Sequence, residues 1–109
     1  MAFLALASQK SLLTLQQNFL QLQMIRIQNE MQFYAAEMGS IKKHYNGTDG
    51  NYEDDTMYIT YEQLDEQASS EKDSLESQIT AIQNEISSLK TLVNNNIKTS
   101  CTLNLATGN

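Results

Sequence analysis

The chain has 109 residues, with seven basic and 13 acidic side chains, a net charge of −6, one Cys and neither Pro nor Trp. The length allows one domain at most, a single cysteine excludes an intramolecular disulfide, and a net acidic chain with no basic cluster beyond Lys42-Lys43 is a poor nucleic-acid binder. No stretch reaches the about 18 charge-poor apolar residues that a membrane span needs.

The first predicted element is a long helix over about residues 3–45. Proline is absent from the chain, and no glycine interrupts residues 2–38, so nothing in the sequence breaks this helix early. Its apolar residues recur with heptad spacing, and from Met24 to Ile41 they alternate without a break at spacings of three and four, which is typical of the seam of a left-handed coiled coil. The predicted seam residues of this helix are Leu13, Leu20, Met24, Ile27, Met31, Tyr34 and Met38. Basic residues 42–44 fit the last turn, and Asn46-Gly47 offers a left-handed stop.

A second apolar stripe distinguishes this helix from an ordinary amphipathic one. Its members are Leu4, Leu12, Leu15, Phe19, Leu22, Ile25 and Phe33. At 100° per residue the stripe is expected beside the seam, so that more than half of the circumference is apolar. No charged residue lies between Ser11 and Ile25.

A polar hinge is predicted over residues 46–60, because Asn, Gly and Asp favour turns. Residues 57–61 have the composition of a strand, so a short extended segment is an alternative prediction there. Oxygen-bearing side chains alternate over residues 49–55, as in a calcium loop, but the sixth-position glycine and terminal glutamate of such a loop are not in place. A solvated turn is therefore favoured over a cation site.

A second helix is predicted over about residues 61–95, opened by a capping box of Thr60 and Gln63. Its seam residues again alternate at spacings of three and four: Leu75, Ile79, Ile82, Ile86, Leu89 and Val93. Residues 96–109 are expected to form a tail that is either flexible or briefly extended, and a frayed end is favoured. The predicted fold class is all-α, with two long antiparallel helices forming a coiled-coil hairpin in a single domain.

The two halves of the chain differ in charge and in apolar surface. Residues 1–45 carry four basic and two acidic residues, a balance of +2, and residues 46–109 carry three basic and 11 acidic residues, a balance of −8. A two-helix hairpin buries only one stripe of each helix, so the second stripe of the first helix would form a large exposed apolar patch. We therefore expect the hairpin to associate into a larger helical bundle, with another copy or with a different helical protein.

Little in the sequence points to chemistry. His44 and Cys101 are the main candidates for nucleophilic or metal chemistry, and no spacing motif joins them. His44 fits a helix C-terminus better than a metal site, and Cys101 fits a free thiol in the tail. We expect no enzyme activity, cofactor, metal site, membrane span, nucleic acid or small-molecule substrate. The N-terminal residues lack the features of a cleavable signal, which is expected of a cytoplasmic protein or of one exported by another route.

The chain resembles the small helical-hairpin subunits of exported bacterial filaments, namely type III secretion needle proteins and the terminal coiled-coil regions of flagellar axial proteins. The features that carry the resemblance are the charge-poor start at residues 2–25, the absent cleavable signal, the Asn/Gly hinge and the Asn-rich end of the second helix. The resemblance implies a structural, self-assembling protein. The alternative is an adaptor or chaperone-like helical module that binds another protein through the same stripe.

Overall fold

The structure, a computed structural model, describes the backbone of residues 2–106 and the side chains of residues 5–95, 97 and 98. Helix α1 spans Ala2–His44, helix α2 spans Thr56–Ala106, and the short 3-10 helix Tyr52–Asp54 lies between them. No strand occurs in this part of the chain. The predicted fold class is confirmed, because the chain is all-α and its two long helices form an antiparallel hairpin.

Helix α1 ends as the sequence predicts, one residue before the expected limit of 45, and Gly39 does not interrupt it. Its last turn is basic, at residues 42–44, where cations offset the partial negative charge of a helix C-terminus. Beyond the helix, Gly47 adopts a φ of 78°. This is the left-handed region that glycine reaches without Cβ strain, so Asn46-Gly47 does stop the helix.

Helix α2 begins at Thr56, ahead of its predicted start at residue 61. Asp55 caps it, because one carboxylate oxygen (Oδ1) accepts a hydrogen bond of 3.0 Å from the backbone N–H of Tyr58 and the Asp55 carbonyl accepts one of 3.0 Å from Ile59. The capping box predicted at Thr60 is wrong. Thr60 lies inside the helix, and its hydroxyl donates to the carbonyl of Thr56 over 2.9 Å.

Two segments with strand-like composition are helical in the structure. Residues 57–61 form the first turns of α2, and residues 99–105 lie near its end at Ala106 rather than beyond an end near residue 95. The prediction that the hinge extends to residue 60 is therefore wrong, because residues 56–60 are helical. The prediction of a flexible or extended tail is wrong for residues 96–106, which are also helical. Residues 107–109 lie outside the described backbone. A helix pairs its own backbone groups, whereas a strand needs a partner strand.

The chain forms two compact units, each of which pairs a segment of α1 with an antiparallel segment of α2. Unit 1 comprises Met1–Leu20 and Gln78–Asn109, and unit 2 comprises Gln21–Ser77, including the link between the helices. Of the described side chains, three are buried, and all of them lie in unit 2: Ile27, Ala68 and Leu75. The described part of unit 1 has half-buried seam residues but no side chain that is fully removed from water.

Candidate association surface

The seam is the face of each helix that packs against the other helix of the same unit. Every seam residue predicted from the sequence is half-buried or buried: Leu13, Leu20, Met24, Ile27, Met31, Tyr34, Met38, Leu75, Ile79, Ile82, Ile86, Leu89 and Val93. If the residues are numbered as heptads with a and d in the seam, Met24 takes position a and Ile27 takes position d. The heptad spacing of the sequence therefore coincides with the pattern of burial.

The second apolar stripe of α1 is exposed to solvent. Leu4 lies outside the described side chains, and the other six predicted members are between 53% and 66% exposed. These six, the first three in unit 1 and the others in unit 2, are Leu12, Leu15, Phe19, Leu22, Ile25 and Phe33. Five of them take heptad positions c or f, and Ile25 takes position b, so the stripe lies outside the seam positions a and d. It borders the seam in unit 1, because Leu12 lines a groove with the seam residues Leu13 and Leu89, and Leu15 and Phe19 line another with Leu20 and Ile82.

The second apolar stripe, called the outer stripe from here on, follows a heptad pattern of its own. Positions 12, 15, 19 and 22 are separated by three, four and three residues, and Arg26 and Asn29 continue the same spacing to Phe33. A helix with apolar residues at this average spacing presents side chains that fit between those of another helix. Helix α1 thus carries two series of positions with heptad spacing, one buried in the seam and one exposed. The signal for the second is present in the sequence, in the spacing of the stripe rather than in its apolar area.

Charge is unevenly distributed along the outer stripe. The unit 1 part of it lies within the charge-free segment between Ser11 and Ile25. In unit 2, Arg26 occupies position c and its Nη1 lies 3.3 Å from Oε1 of Glu30. An exposed pair four residues apart on a helix contributes only about 0.3–0.5 kcal/mol, so its main effect is to place charge within the stripe. The most apolar part of the surface therefore lies in unit 1.

An open groove runs beside the stripe in unit 1. Leu12, Leu13 and Leu89 supply its apolar lining, and Glu85 supplies its one charged group. The remaining lining residues are neutral and polar: Gln9, Gln16, Asn84 and Ser88. Since Leu12 belongs both to the groove and to the outer stripe, the two surfaces are continuous within this unit.

Four exposed apolar residues on α2 were missed by the sequence reasoning. Met57 and Ile59 lie in unit 2, and Leu92 and Ile97 lie in unit 1, each between 41% and 51% exposed. The first two fell within the predicted hinge, and the last two lie beside the predicted end of the helix. For Met57, Ile59 and Ile97, only the longer observed helix makes them surface features of a regular element, whereas Leu92 lies within the predicted helix but outside its predicted seam.

Phe33 differs from the other stripe residues because its ring has partners within unit 2. It packs edge-on against Tyr34 and Tyr61, with ring centroids 6.0 Å and 6.1 Å apart. Tyr34 and Tyr61 also lie 6.1 Å from each other. Aromatic pairs at these distances stabilise by about 0.5–1.5 kcal/mol beyond area burial. Phe33 therefore contributes to the packing of unit 2 even though more than half of it is exposed.

A hydrogen bond joins the two sides of the link between the helices. The hydroxyl of Tyr45 donates to Oδ2 of Asp55 over 2.7 Å. This hydrogen bond, followed by that from the Tyr58 N–H, holds the pKa of the Asp55 carboxyl below its ordinary value. The same hydrogen bond, together with desolvation, raises the pKa of the Tyr45 hydroxyl. The bond connects Tyr45, the residue that follows α1, to Asp55, the cap of α2.

The described residues considered for metal binding have other roles or lie apart. Asn51 Oδ1 accepts from the Glu53 N–H over 3.1 Å, so it caps the 3-10 helix. His44 is exposed at the end of α1, with its ring 5.9 Å from that of Tyr45, and the Cys101 side chain lies outside the described residues. Over the described part of the chain, no group of three or more His, Cys, Asp or Glu side chains is placed to hold a metal ion.

Among the described residues, no helix is long and apolar enough to cross a membrane.

We expect Tyr45→Phe to lower the melting temperature most at intermediate pH. Because the pKa of Asp55 is lower in the folded chain than its ordinary value of 3.8, the carboxylate of Asp55 stabilises the fold above pH 3.8. This stabilisation is lost as the pH falls through the pKa of the folded chain. Because the pKa of Tyr45 is higher in the folded chain than its ordinary value of 10.0, the protonated hydroxyl of Tyr45 stabilises the fold below pH 10.0. This stabilisation is lost as the pH rises through the pKa of the folded chain. The melting temperatures of both proteins across the pH range measure the difference.

Tyr52→Phe is the matched control, since Tyr52 acts through its ring. That ring lies 5.0 Å from the ring of Tyr58 and beneath the ammonium of Lys42. The control should leave the pH profile of stability parallel to that of the natural chain. A pH-independent difference for Tyr45→Phe would contradict the role assigned to the hydrogen bond.

Comparison with known proteins yields no relative. No protein-family model, no characterised protein and no solved structure matches this chain. Any function assigned to the outer stripe therefore rests on the geometry and chemistry described above.

Proposed function

We propose that this protein is a non-enzymatic structural subunit that self-associates through the outer stripe of α1. The observation that carries the proposal is the exposure of apolar residues that follow a second heptad pattern, above all Leu12, Leu15 and Phe19 in unit 1. Full burial of one such side chain stabilises by about 1.5–3 kcal/mol. Apolar residues at this spacing pack best against another helix, so we infer that the partner surface is a helix.

Charge favours a second copy that meets α1 through α1. Helix α2 carries seven acidic and three basic residues, and six of the acidic ones lie in its unit 2 segment. Two copies that met through that segment of α2 would bring like charges together, which costs free energy. The charge-free part of α1 has no such penalty, so the charge distribution directs self-association to this helix.

The proposal extends to the setting of the assembly. The sequence resemblance to exported bacterial filament subunits supports a secretion-linked or surface assembly. In such an assembly, copies would pack through α1 and leave the polar faces of α2 in water. Copies aligned in this way would form a helical bundle or the wall of a filament.

Light scattering after gel filtration tests the proposal. We expect the purified chain at tens of micromolar to elute as a species larger than one chain, with the mass rising with concentration. Added salt should preserve or strengthen the assembly, because apolar burial dominates it. A monodisperse monomer over this range would refute self-association, and it would leave the adaptor or chaperone-like module as the alternative for the same stripe.

A further inference from the structure

The turn that follows α1 contains an Asn-Gly pair with an unusual backbone setting. Asn46 and Gly47 are both exposed, and a Cβ added at Gly47 would meet nothing within 4 Å. The N–H of Asn46 donates to the carbonyl of Lys43 over 3.1 Å, and the N–H of Thr48 donates to the carbonyl of Tyr45 over 3.2 Å. The N–H of Gly47 takes no part in the backbone hydrogen bonds of this turn.

We propose that Asn46 is a site of spontaneous deamidation, a non-enzymatic modification that changes the charge of the turn. The backbone nitrogen of Gly47 attacks the side-chain carbonyl carbon (Cγ) of Asn46, and a new C–N bond closes a five-membered imide. The bond from this carbon to the side-chain amide nitrogen breaks, and that nitrogen leaves as ammonia with the proton from the Gly47 N–H. Water then opens the imide at either carbonyl, giving aspartate or isoaspartate, and the net charge falls by one.

The surroundings select Asn46 over the other asparagines of the described chain. Glycine has no side chain to crowd the closing ring, and the attacking nitrogen is not held by a carbonyl. Asn51, also exposed in the link, is followed by the bulky Tyr52, and its Oδ1 is engaged by the N–H of Glu53. The asparagines inside α1 and α2 are followed by N–H groups that the helix ladder occupies.

Modification at Asn46 changes the turn physically. A carboxylate would lie just past the C-terminus of α1, where the helix dipole is negative. Isoaspartate also lengthens the main chain between Tyr45 and Asp55, whose side chains are joined by the 2.7 Å hydrogen bond. The aged protein should therefore melt at a lower temperature than the fresh one.

Peptide mapping by mass spectrometry tests the proposal on the full chain, incubated in mildly alkaline buffer both folded and unfolded in urea. We expect the mass gain of amide-to-acid conversion to accumulate at Asn46 ahead of Asn51, with isoaspartate the main product and a folded rate of the same order as the unfolded one. Asn46→Gln, whose side chain closes such a ring only slowly, should suppress the gain and keep the melting temperature constant during incubation.

Two results would overturn the assignment. One is an Asn46 that stays intact in the folded chain while the urea-unfolded chain is converted, since the turn would then protect it. The other is conversion of Asn51 at an equal or higher rate in the folded protein, since the free N–H of Gly47 would then confer no selectivity.

Discussion

Replacement of two outer residues, Leu15→Glu together with Phe19→Glu, should convert the assembly into single chains and leave the helical content largely unchanged. Both side chains lie in the charge-free part of α1 and are more than half exposed in the single chain. In water each glutamate is solvated and has high helix propensity. Inside an apolar interface each would bury an unpaired charge, which costs far more than the apolar burial that Leu15 and Phe19 themselves supply. The expected effect is therefore large on association and small on folding.

Light scattering reports the mass and circular dichroism reports the helicity of the double variant. The matched control is Thr80→Glu with Ser87→Glu, which adds the same charge at two exposed positions on the α2 segment of unit 1. The control should keep the assembly. If the Leu15/Phe19 variant instead unfolds, the stripe belongs to the core of the chain itself. If it still assembles, another surface carries the association.

Ile27→Ala should be the most destabilising single truncation in the hairpin. Ile27 is 0% exposed and is the one described side chain that is fully removed from water. Truncating a buried Ile to Ala removes apolar packing and leaves a cavity, which costs about 2–5 kcal/mol. In a small domain with a net stability of about 5–15 kcal/mol, this is a large fraction. Urea unfolding followed by circular dichroism measures the change in the free energy of unfolding.

Ile25→Ala is a stringent control for this prediction. It makes the same chemical change on the same helix, two residues away, at a position that is 53% exposed. At a dilution where the chain is monomeric, we expect it to cost well under half as much as Ile27→Ala. Equal costs for the two variants would show that α1 is not oriented with Ile27 in the seam. A cost at Ile25 that grows with protein concentration would instead support its place in the outer stripe.

The two predictions concern different faces of one helix. Ile27 stabilises unit 2 by packing against α2, whereas Leu15 and Phe19 are available to something outside the single chain. This division explains how a chain with 40% hydrophobic residues buries only three of its described side chains. A two-helix arrangement has one internal face per helix, so a second apolar face needs an external partner to be covered.

Sequence reasoning located the seams but misplaced the boundaries of α2. The alternation of three and four residues identified the seam from Leu75 to Val93 because burial in a helix pair depends directly on that period. The predicted start of α2 was wrong because the strand-like composition of residues 57–61 gives only a weak preference for extended structure. The cap at Asp55 and the bond from Tyr45 outweigh it, and that bond joins residues ten positions apart.

By itself, the sequence determined the all-α hairpin, the end of α1 at the Asn-Gly turn and the residues of both seams. Helix periodicity and glycine geometry are local properties, and they can be read directly along the chain. The tertiary structure decided where α2 begins and ends, that Asp55 is held by Tyr45, and that the second stripe of α1 stays more than half exposed when α2 is in place. These depend on contacts between residues far apart in the chain, because the face that becomes internal is known only once the partner helix is in place.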